Sequence, residues 1–119
     1  QRKSAWEILK DMEKGAPMNR LLEGDVGSGK TVVAAIAALN TARAGWQTAI
    51  MAPTEILARQ HFATFTKTMT NEDISICLLT GKTTTVFDPE IKTEYHPKKN
   101  EVIKMIREGK ITVAIGTHS

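Results

Sequence analysis

Residues 24–31 carry the strongest chemical pattern in this chain, three glycines at fixed spacing followed by a lysine and a hydroxyl residue. In order, they are Gly24, Asp25, Val26, Gly27, Ser28, Gly29, Lys30 and Thr31. This run satisfies the phosphate-loop pattern G-x-x-x-x-G-K-[ST]. Its glycines let the backbone curl so that the N–H groups point inward, toward phosphate oxygens. The pattern therefore predicts that the loop binds a nucleoside triphosphate.

Two side chains of this loop are the candidate catalytic residues. Lys30 is expected to reach the β- and γ-phosphates as a compact point charge. The hydroxyl of Thr31 is expected to ligate Mg²⁺, which bridges the same phosphates. A helix beginning at about Gly29 would add its unpaired N–H groups and positive dipole end. The alternative is a glycine-rich turn between a strand and a helix that binds no ligand.

The elements that position this loop alternate between strand-like and helix-like segments. Strands are predicted at 20–23, 48–52, 74–79 and 111–115, and helices at 4–14, 31–44, 55–69 and 100–108. Residues 82–98 are polar and are predicted to form a long irregular loop. Because alternation of this kind produces βαβ units, we expect an α/β fold with a mostly parallel sheet and flanking helices.

Four segments follow the predicted strands at their carboxyl ends. They are 24–30, 53–55, 80–81 and 116–118. Right-handed crossovers between parallel strands would bring all four to one edge of the sheet. Ligands of such sheets bind beyond the carboxyl ends of the strands, so function is expected at this edge.

Composition excludes several classes of protein. The 16 Lys+Arg and 13 Asp+Glu residues leave a net charge of +3, too small by itself to indicate a nucleic-acid partner. No apolar run approaches the roughly 20 residues that cross a bilayer, so no membrane partner is expected. The single Cys77 and three scattered histidines provide neither an internal disulfide nor a zinc cluster. A reducing, cytoplasmic setting is expected. The length of 119 residues allows one domain or part of one. Because the chain opens with Gln1 rather than Met and stops at Ser119 just after a strand-like run, it is expected to be a piece of a larger protein.

The sequence around the phosphate loop resembles one family in particular. Residues 17–35 read PMNRLLEGDVGSGKTVVAA and resemble motif I of the RecG family of bacterial ATP-dependent DNA helicases. Residues 51–61 read MAPTEILARQH and resemble the family's motif Ia. The runs at 78–81 and 115–118 resemble its next two motifs. The resemblance implies that residues 1–119 are a partial helicase ATP-binding domain with a RecA-like P-loop NTPase fold, which ends before the acidic motif II.

The same resemblance implies an activity and its partners. It points to a superfamily-two translocase that remodels stalled replication forks and branched DNA in repair and recombination. The implied cofactors are ATP and Mg²⁺. The implied partners are forked or branched DNA, together with a second motor lobe and a wedge domain in the same protein. Because the acidic motif and the second lobe's arginines lie outside these residues, we expect the 119 residues alone to be inactive.

The resemblance also implies a set of DNA-binding residues. They are Pro53, Thr54, Glu55, Thr80, Gly81, Gly116, Thr117 and His118. Gln1 matches a glutamine that contacts adenine in many helicases of this superfamily, a task that suits an amide because it both donates and accepts. Ordinary roles stay open for these residues, such as a helix N-cap for Thr54, turns for the glycines and threonines, and a structural role for His118. Glu55 either favours the helix dipole or positions its neighbours.

Three other functions remain as alternatives. The first is a translocase of the transcription-repair coupling type, which has a phosphate loop in a less similar context. The second is a P-loop phosphoryl transferase, since kinases share the same loop. The third is a weak nucleotide-binding module, which would describe the isolated chain. Stimulation of ATP hydrolysis by DNA separates the first of these from the other two.

Overall fold

The computed structural model describes residues 18–23, 36, 38–40, 42–45 and 47–117, with the backbone alone described for 18–23. Its strands are β1 (Met18–Glu23), β2 (Gln47–Ala52), β3 (Ile76–Leu79), β4 (Thr84–Asp88), β5 (Thr93–Tyr95) and β6 (Val113–Thr117). Its two fully bounded helices are α1 (Glu55–Thr68) and α2 (Lys99–Arg107). Residues 36, 38–40, 42 and 43 are also helical, as predicted for that part of 31–44.

The described strands form one sheet of six, in the spatial order β1-β2-β6-β3-β4-β5. Strand β2 pairs in parallel with β1 and β6, and β6 pairs in parallel with β3. The pairs β3–β4 and β4–β5 are antiparallel. The expected α/β fold with a mostly parallel sheet is therefore confirmed. Since β1, β2, β6 and β3 run in the same direction, their carboxyl ends share one edge, called here the carboxyl edge.

Apolar side chains cover both faces of the sheet, as parallel strands require. On the first face, α1 packs in a cluster formed by Ala38, Ile50, Ala52, Ala58, Phe62, Phe65, Met69, Ile74, Ile76, Leu78, Phe87, Val113 and Ile115. On the second face, α2 packs in a cluster formed by Ala49, Met51, Cys77, Leu79, Val86, Val102, Ile106, Ile111 and Ala114. Consecutive apolar residues of β2, β3 and β6 alternate between the two clusters because strand side chains point to opposite faces.

Helix α1 begins and packs for reasons visible in its sequence. Thr54 is its N-cap, and the Thr54 hydroxyl accepts a hydrogen bond of 3.1 Å from the backbone N–H of Leu57. Ala58, Phe62 and Phe65 recur at spacings of four and three, so they lie on the face that packs on the sheet. Helix α1 is thereby fixed with its N-terminus at the carboxyl edge.

The prediction of a long irregular loop over 82–98 is wrong. Residues 84–88 and 93–95 form the antiparallel hairpin β4–β5, which extends the sheet beyond β3. Two residues shape the connection between these strands. The Asp88 carboxylate accepts a hydrogen bond of 2.9 Å from the N–H of Glu90, and Lys92 adopts a positive φ of 51°. Residues 84–87 alternate between the two sides of the sheet and include Val86 and Phe87, which fit a half-buried strand.

The last strand begins and ends two residues later than the predicted 111–115. Ile111 is buried before the strand starts, because it packs beneath α2 in the second cluster. The amide of Gln47 holds this approach to the strand by donating to the carbonyls of Ile106 and Ile111, at 2.8 Å each. Gly116 and Thr117 therefore lie within β6 rather than after it.

Candidate functional site

The carboxyl edge collects the segments for which function was predicted. Strand β1 ends at Glu23, opposite Met51 of β2, so the phosphate loop starts at this edge at the next residue. The loop itself, residues 24–31, lies outside the described residues, as do the predicted helix 4–14, Gln1 and His118. The nucleotide-binding roles of 24–31 and Gln1 and the DNA-binding role of His118 stay predictions.

Gly116 and Thr117 occupy the centre of the carboxyl edge. Gly116 pairs with Met51 on one side and with Leu79 on the other, and Thr117 pairs with Ala52. Thr117 is buried, with 1% of its surface exposed. The structure therefore places β6 as the link between the end of β2, where α1 begins, and the end of β3.

Pro53 and Thr54 are exposed at this edge and connect β2 to α1. The first N–H groups of a helix have no intrahelical partner, and the Thr54 hydroxyl satisfies the one on Leu57. That contact uses a lone pair of the hydroxyl oxygen and leaves its proton available to a further acceptor. The N-cap role of Thr54 is thus present in the structure and is compatible with binding an anion at the same helix end.

Glu55 connects two of the predicted segments. Its Oε2 accepts hydrogen bonds of 3.0 Å from the Arg59 guanidinium, one helical turn along α1, and of 3.0 Å from the Thr80 hydroxyl. Arg59 also donates from Nη2 to the Thr83 hydroxyl, at 2.8 Å. The sequence left two roles open for Glu55, an interaction with the helix dipole and the positioning of neighbouring residues. Its contacts with Arg59 and Thr80 support the second role, and its place in the first turn of α1 is compatible with the first.

Residues 80–83 are the tight turn of the β3–β4 hairpin. The Thr80 N–H donates to the Thr83 carbonyl at 2.9 Å, and the Thr80 hydroxyl accepts the N–H groups of Lys82 at 3.2 Å and Thr83 at 2.9 Å. Thr80 is buried, whereas Gly81 and Lys82 are exposed at the tip of the turn. Thr80 therefore closes the turn and also ties it to α1, while Gly81 and Lys82 face the solvent.

Comparison with known protein families assigns the chain. A model of the DEAD/DEAH box helicases matches residues 1–118. The chain belongs to the DEAD/DEAH box helicase family. This membership agrees with the phosphate loop, the α/β sheet and the gathering of the predicted segments at the carboxyl edge.

Individual relatives of this DEAD/DEAH box chain are bacterial. The ATP-dependent DNA helicase RecG of Thermotoga maritima is 46% identical over 120 residues, spanning 100% of this chain and 14% of that protein. The RecG of Aquifex aeolicus is 42% identical over 119 residues, again 100% of this chain and 14% of the relative. The transcription-repair-coupling factor of Myxococcus xanthus is 38% identical over 118 residues, 99% of this chain and 9% of the relative. The chain thus spans about one-seventh of the length of the RecG relatives.

Arg59 and Thr83 join the predicted residues at the carboxyl edge through hydrogen bonds, and the sequence patterns did not single them out. The spacing of Glu55 and Arg59 by four residues on a predicted helix was a usable signal, since such pairs interact across one turn. No comparable signal marks Thr83, because its contact depends on the hairpin that was predicted to be a loop. The pairing of this turn with α1 is therefore information that comes from the tertiary structure.

Three further features of the described residues concern metal binding, membrane spanning and thiol reactivity. No group of three or more metal-ligating side chains occurs among the described residues. None of the helices that the structure describes has the length and apolar character needed to cross a lipid bilayer. Cys77 lies in the buried strand β3, and burial raises the pKa of its thiol to about 12 despite an opposing hydrogen bond with the backbone of Ile115.

We expect the Cys77 thiol to be inert in the folded protein. Iodoacetamide at pH 8 should alkylate it slowly in buffer and rapidly in denaturant, because only the exposed thiol forms thiolate readily. Equal rates in the two conditions would contradict the burial of this strand.

The stability of the fold should also depend on the protonation of Cys77. The pKa of its thiol rises from 9.0 to about 12 on folding, so the thiol's contribution to stability is complete below pH 9. Above pH 9, where the thiol of the unfolded chain ionises, the free energy of unfolding should fall by up to about 1.4 kcal/mol per pH unit. Urea unfolding at several pH values measures this slope, and the Cys77→Ala variant should lack it.

Proposed function

We propose that this chain is the front part of the first motor lobe of an ATP-dependent DNA helicase or translocase that acts on stalled forks and branched DNA. Membership of the helicase family and the similarity to RecG proteins along the whole chain support this proposal. The observation that carries it is the carboxyl edge. There the strand that leads into the phosphate loop lies beside β2, which leads into the predicted DNA-binding segment 53–55. The other two predicted segments lie at the ends of β6 and β3, at the same edge of the sheet.

The nucleotide is proposed to bind where β1 ends. Backbone N–H groups of 24–29 and the ammonium of Lys30 would hold the phosphates, and the amide of Gln1 would contact adenine. The Thr31 hydroxyl, together with phosphate oxygens, would provide an all-oxygen donor set, which suits Mg²⁺. When bound, Mg²⁺ neutralises charge that develops on the phosphates. Because β1 ends at the carboxyl edge beside β2, this site would adjoin the predicted DNA-binding segment that follows β2, with the predicted segment of β6 one strand further along the edge.

One DNA strand is proposed to follow the carboxyl edge past α1 and the 80–83 turn. The free N–H groups of the first turn of α1 and the remaining hydroxyl proton of Thr54 suit a phosphate oxygen. Gly81 allows a backbone to approach the tip of the turn closely, and the exposed Lys82 adds a positive charge. These contacts bind the sugar-phosphate backbone and read no base, as movement along any sequence requires.

The rest of the machinery is proposed to lie in the same, longer protein. The acidic motif that completes the ATPase site, a second motor lobe and a wedge domain are the parts that the family resemblance implies. A protein of this kind acts on the bacterial chromosome, so we place it in the cytoplasm. On its own, the 119-residue chain is proposed to bind ATP and Mg²⁺ without appreciable hydrolysis.

A translocase of the transcription-repair coupling type is the second candidate. The relative from Myxococcus xanthus, 38% identical over nearly the whole chain, favours keeping it. The phosphoryl-transferase alternative gains nothing from the helicase family match.

The proposal is tested by ATP hydrolysis in the full-length protein. Phosphate release is measured without DNA and with single-stranded, linear duplex and forked DNA at matched nucleotide concentrations. We expect DNA to stimulate hydrolysis and forked DNA to stimulate it most. Stimulation that requires a stalled transcription complex would favour the second candidate. Equal rates with and without every form of DNA would refute both.

A further inference from the structure

Two contacts join α1 to the 80–83 turn, one on each side of the turn. Glu55, in the first turn of the helix, accepts the hydroxyl proton of Thr80 at 3.0 Å, and Arg59 donates to the hydroxyl of Thr83 at 2.8 Å. The 3.0 Å ion pair between Glu55 and Arg59 closes the ring. The four residues are called here the Glu55–Arg59 bracket.

We propose that Glu55 and Arg59 are positioning residues for nucleic-acid binding. They hold the 80–83 turn at a fixed distance from the N-terminus of α1. In that arrangement the hydrogen-bond donors of the helix N-terminus and of the turn face neighbouring phosphates of one DNA strand. This inference rests on the proposed function and adds Arg59 and Thr83 to the residues on which DNA binding depends.

The turn does not need the bracket in order to form. The hydrogen bond from the Thr80 N–H to the Thr83 carbonyl closes it, and the pairing of Leu79 with Thr84 anchors it to the hairpin. The bracket acts instead on the position of a turn that is already closed. Two side chains that touch opposite ends of the turn restrict its rotation as well as its distance from α1.

The bracket also removes a charge conflict from the path of a polyanion. An unpaired carboxylate at the start of α1 would repel phosphate from the helix end that is suited to bind it. Here the Glu55 carboxylate is matched by the Arg59 guanidinium and turned toward the Thr80 hydroxyl. The N–H groups at the start of α1 thus keep their attraction for an anion.

Stability alone is a weak reason for this arrangement. The side chains of Arg59 and Glu55 are 55% and 25% exposed, and ion pairs in such positions contribute little to folding. The chain offers a matched comparison in the 3.1 Å ion pair of Arg43 with Glu72, whose side chains are 61% and 34% exposed. These two residues precede β2 and β3, respectively, so their pair lies at the opposite edge of the sheet.

The test uses the full-length protein and the dependence of its ATP hydrolysis on the concentration of forked DNA. Glu55→Ala and Arg59→Ala should each raise the DNA concentration for half-maximal stimulation by about tenfold, as expected for the loss of a charge-assisted hydrogen bond. The maximal rate at saturating DNA should be retained. Arg43→Ala, the matched control, should change neither value. Thermal unfolding of each variant shows whether the fold is intact.

Conservative variants distinguish positioning from a general loss of structure. Glu55→Gln keeps an oxygen that accepts from Thr80, and Thr80→Ser keeps the hydroxyl, so both should stay near the wild-type half-saturation value. Combining Glu55→Ala with Thr80→Val should weaken DNA binding no more than the worse single variant, because both break one contact.

Several results would overturn the inference while leaving the proposed function in place. One is DNA-stimulated hydrolysis in which Glu55→Ala and Arg59→Ala behave like Arg43→Ala. Another is a fall in maximal rate with an unchanged half-saturation value. Additive losses in the double variant would show that Glu55 and Thr80 act separately. A wild-type protein that is indifferent to DNA would instead refute the proposed function, and the inference with it.

Discussion

Lys30→Ala in the full-length protein is expected to abolish nearly all ATP turnover. The substitution removes the ammonium group proposed to contact the β- and γ-phosphates. Loss of one charged hydrogen-bond partner should weaken nucleotide binding by roughly 1.5–3 kcal/mol. The rate should fall further, by roughly a hundredfold or more, because the same charge stabilises the transition state.

Steady-state phosphate release and the equilibrium binding of a fluorescent ATP analogue measure the two effects separately. Lys110→Ala is the matched control. Lys110 lies just before β6, at the opposite edge of the sheet, where its ammonium is 3.5 Å from the Glu108 carboxylate. That variant should hydrolyse ATP at the wild-type rate. If Lys30→Ala retained substantial activity, the phosphate loop would be misassigned, and the proposed ATP site would fall with it.

Phe65→Ala is expected to lower the free energy of unfolding by about 3–5 kcal/mol. Phe65 is 1% exposed and lies in the cluster between α1 and the sheet. Its removal leaves a cavity that the neighbouring strands, held by their hydrogen bonds, fill only in part. Because α1 carries Thr54 and Glu55, a loosened helix should also bind DNA less tightly.

Urea unfolding followed by circular dichroism measures this loss. Ile56→Ala is the control on the same helix, since Ile56 is 69% exposed and its side chain has little packing to lose. Its effect on the free energy of unfolding should stay within about 0.5 kcal/mol. Similar losses for the two variants would contradict the packing of α1 on this face of the sheet.

Local sequence patterns were sufficient for most elements of the fold. The pattern that predicted α1 to within one residue at its end placed Ile56, Phe62 and Phe65 in the core, and Phe62 and Phe65 are buried there. The prediction was wrong for Ile56, which is 69% exposed, because Ala58 takes the buried position on that helical face. The apolar run that ends before Pro53 predicted β2. The apolar residues follow a helical spacing in α1 and a continuous run in β2, so the local sequence is enough to predict both elements. The phosphate loop is equally local, because its chemistry needs only consecutive backbone N–H groups and two side chains.

The hairpin and the last strand show where local patterns were insufficient. Residues 84–95 are rich in polar side chains, and they form strands because β3 offers a free edge to pair with. The start of β6 depends on the burial of Ile111 beneath α2, which displaces the strand by two residues from the predicted position. Both outcomes depend on neighbours that are distant in the chain.

The sequence by itself determined the phosphate loop, the alternation of strands and helices, and the resemblance to a helicase, because each depends on residues close together in the chain. Only the tertiary structure decided that β6 lies between β2 and β3, and that Glu55 reaches Thr80, 25 residues away. Strand order follows from which apolar faces can be buried together, and the contact between α1 and the turn follows from that order. The groups proposed to bind DNA thus come from local motifs, whereas the distances between them come from long-range packing.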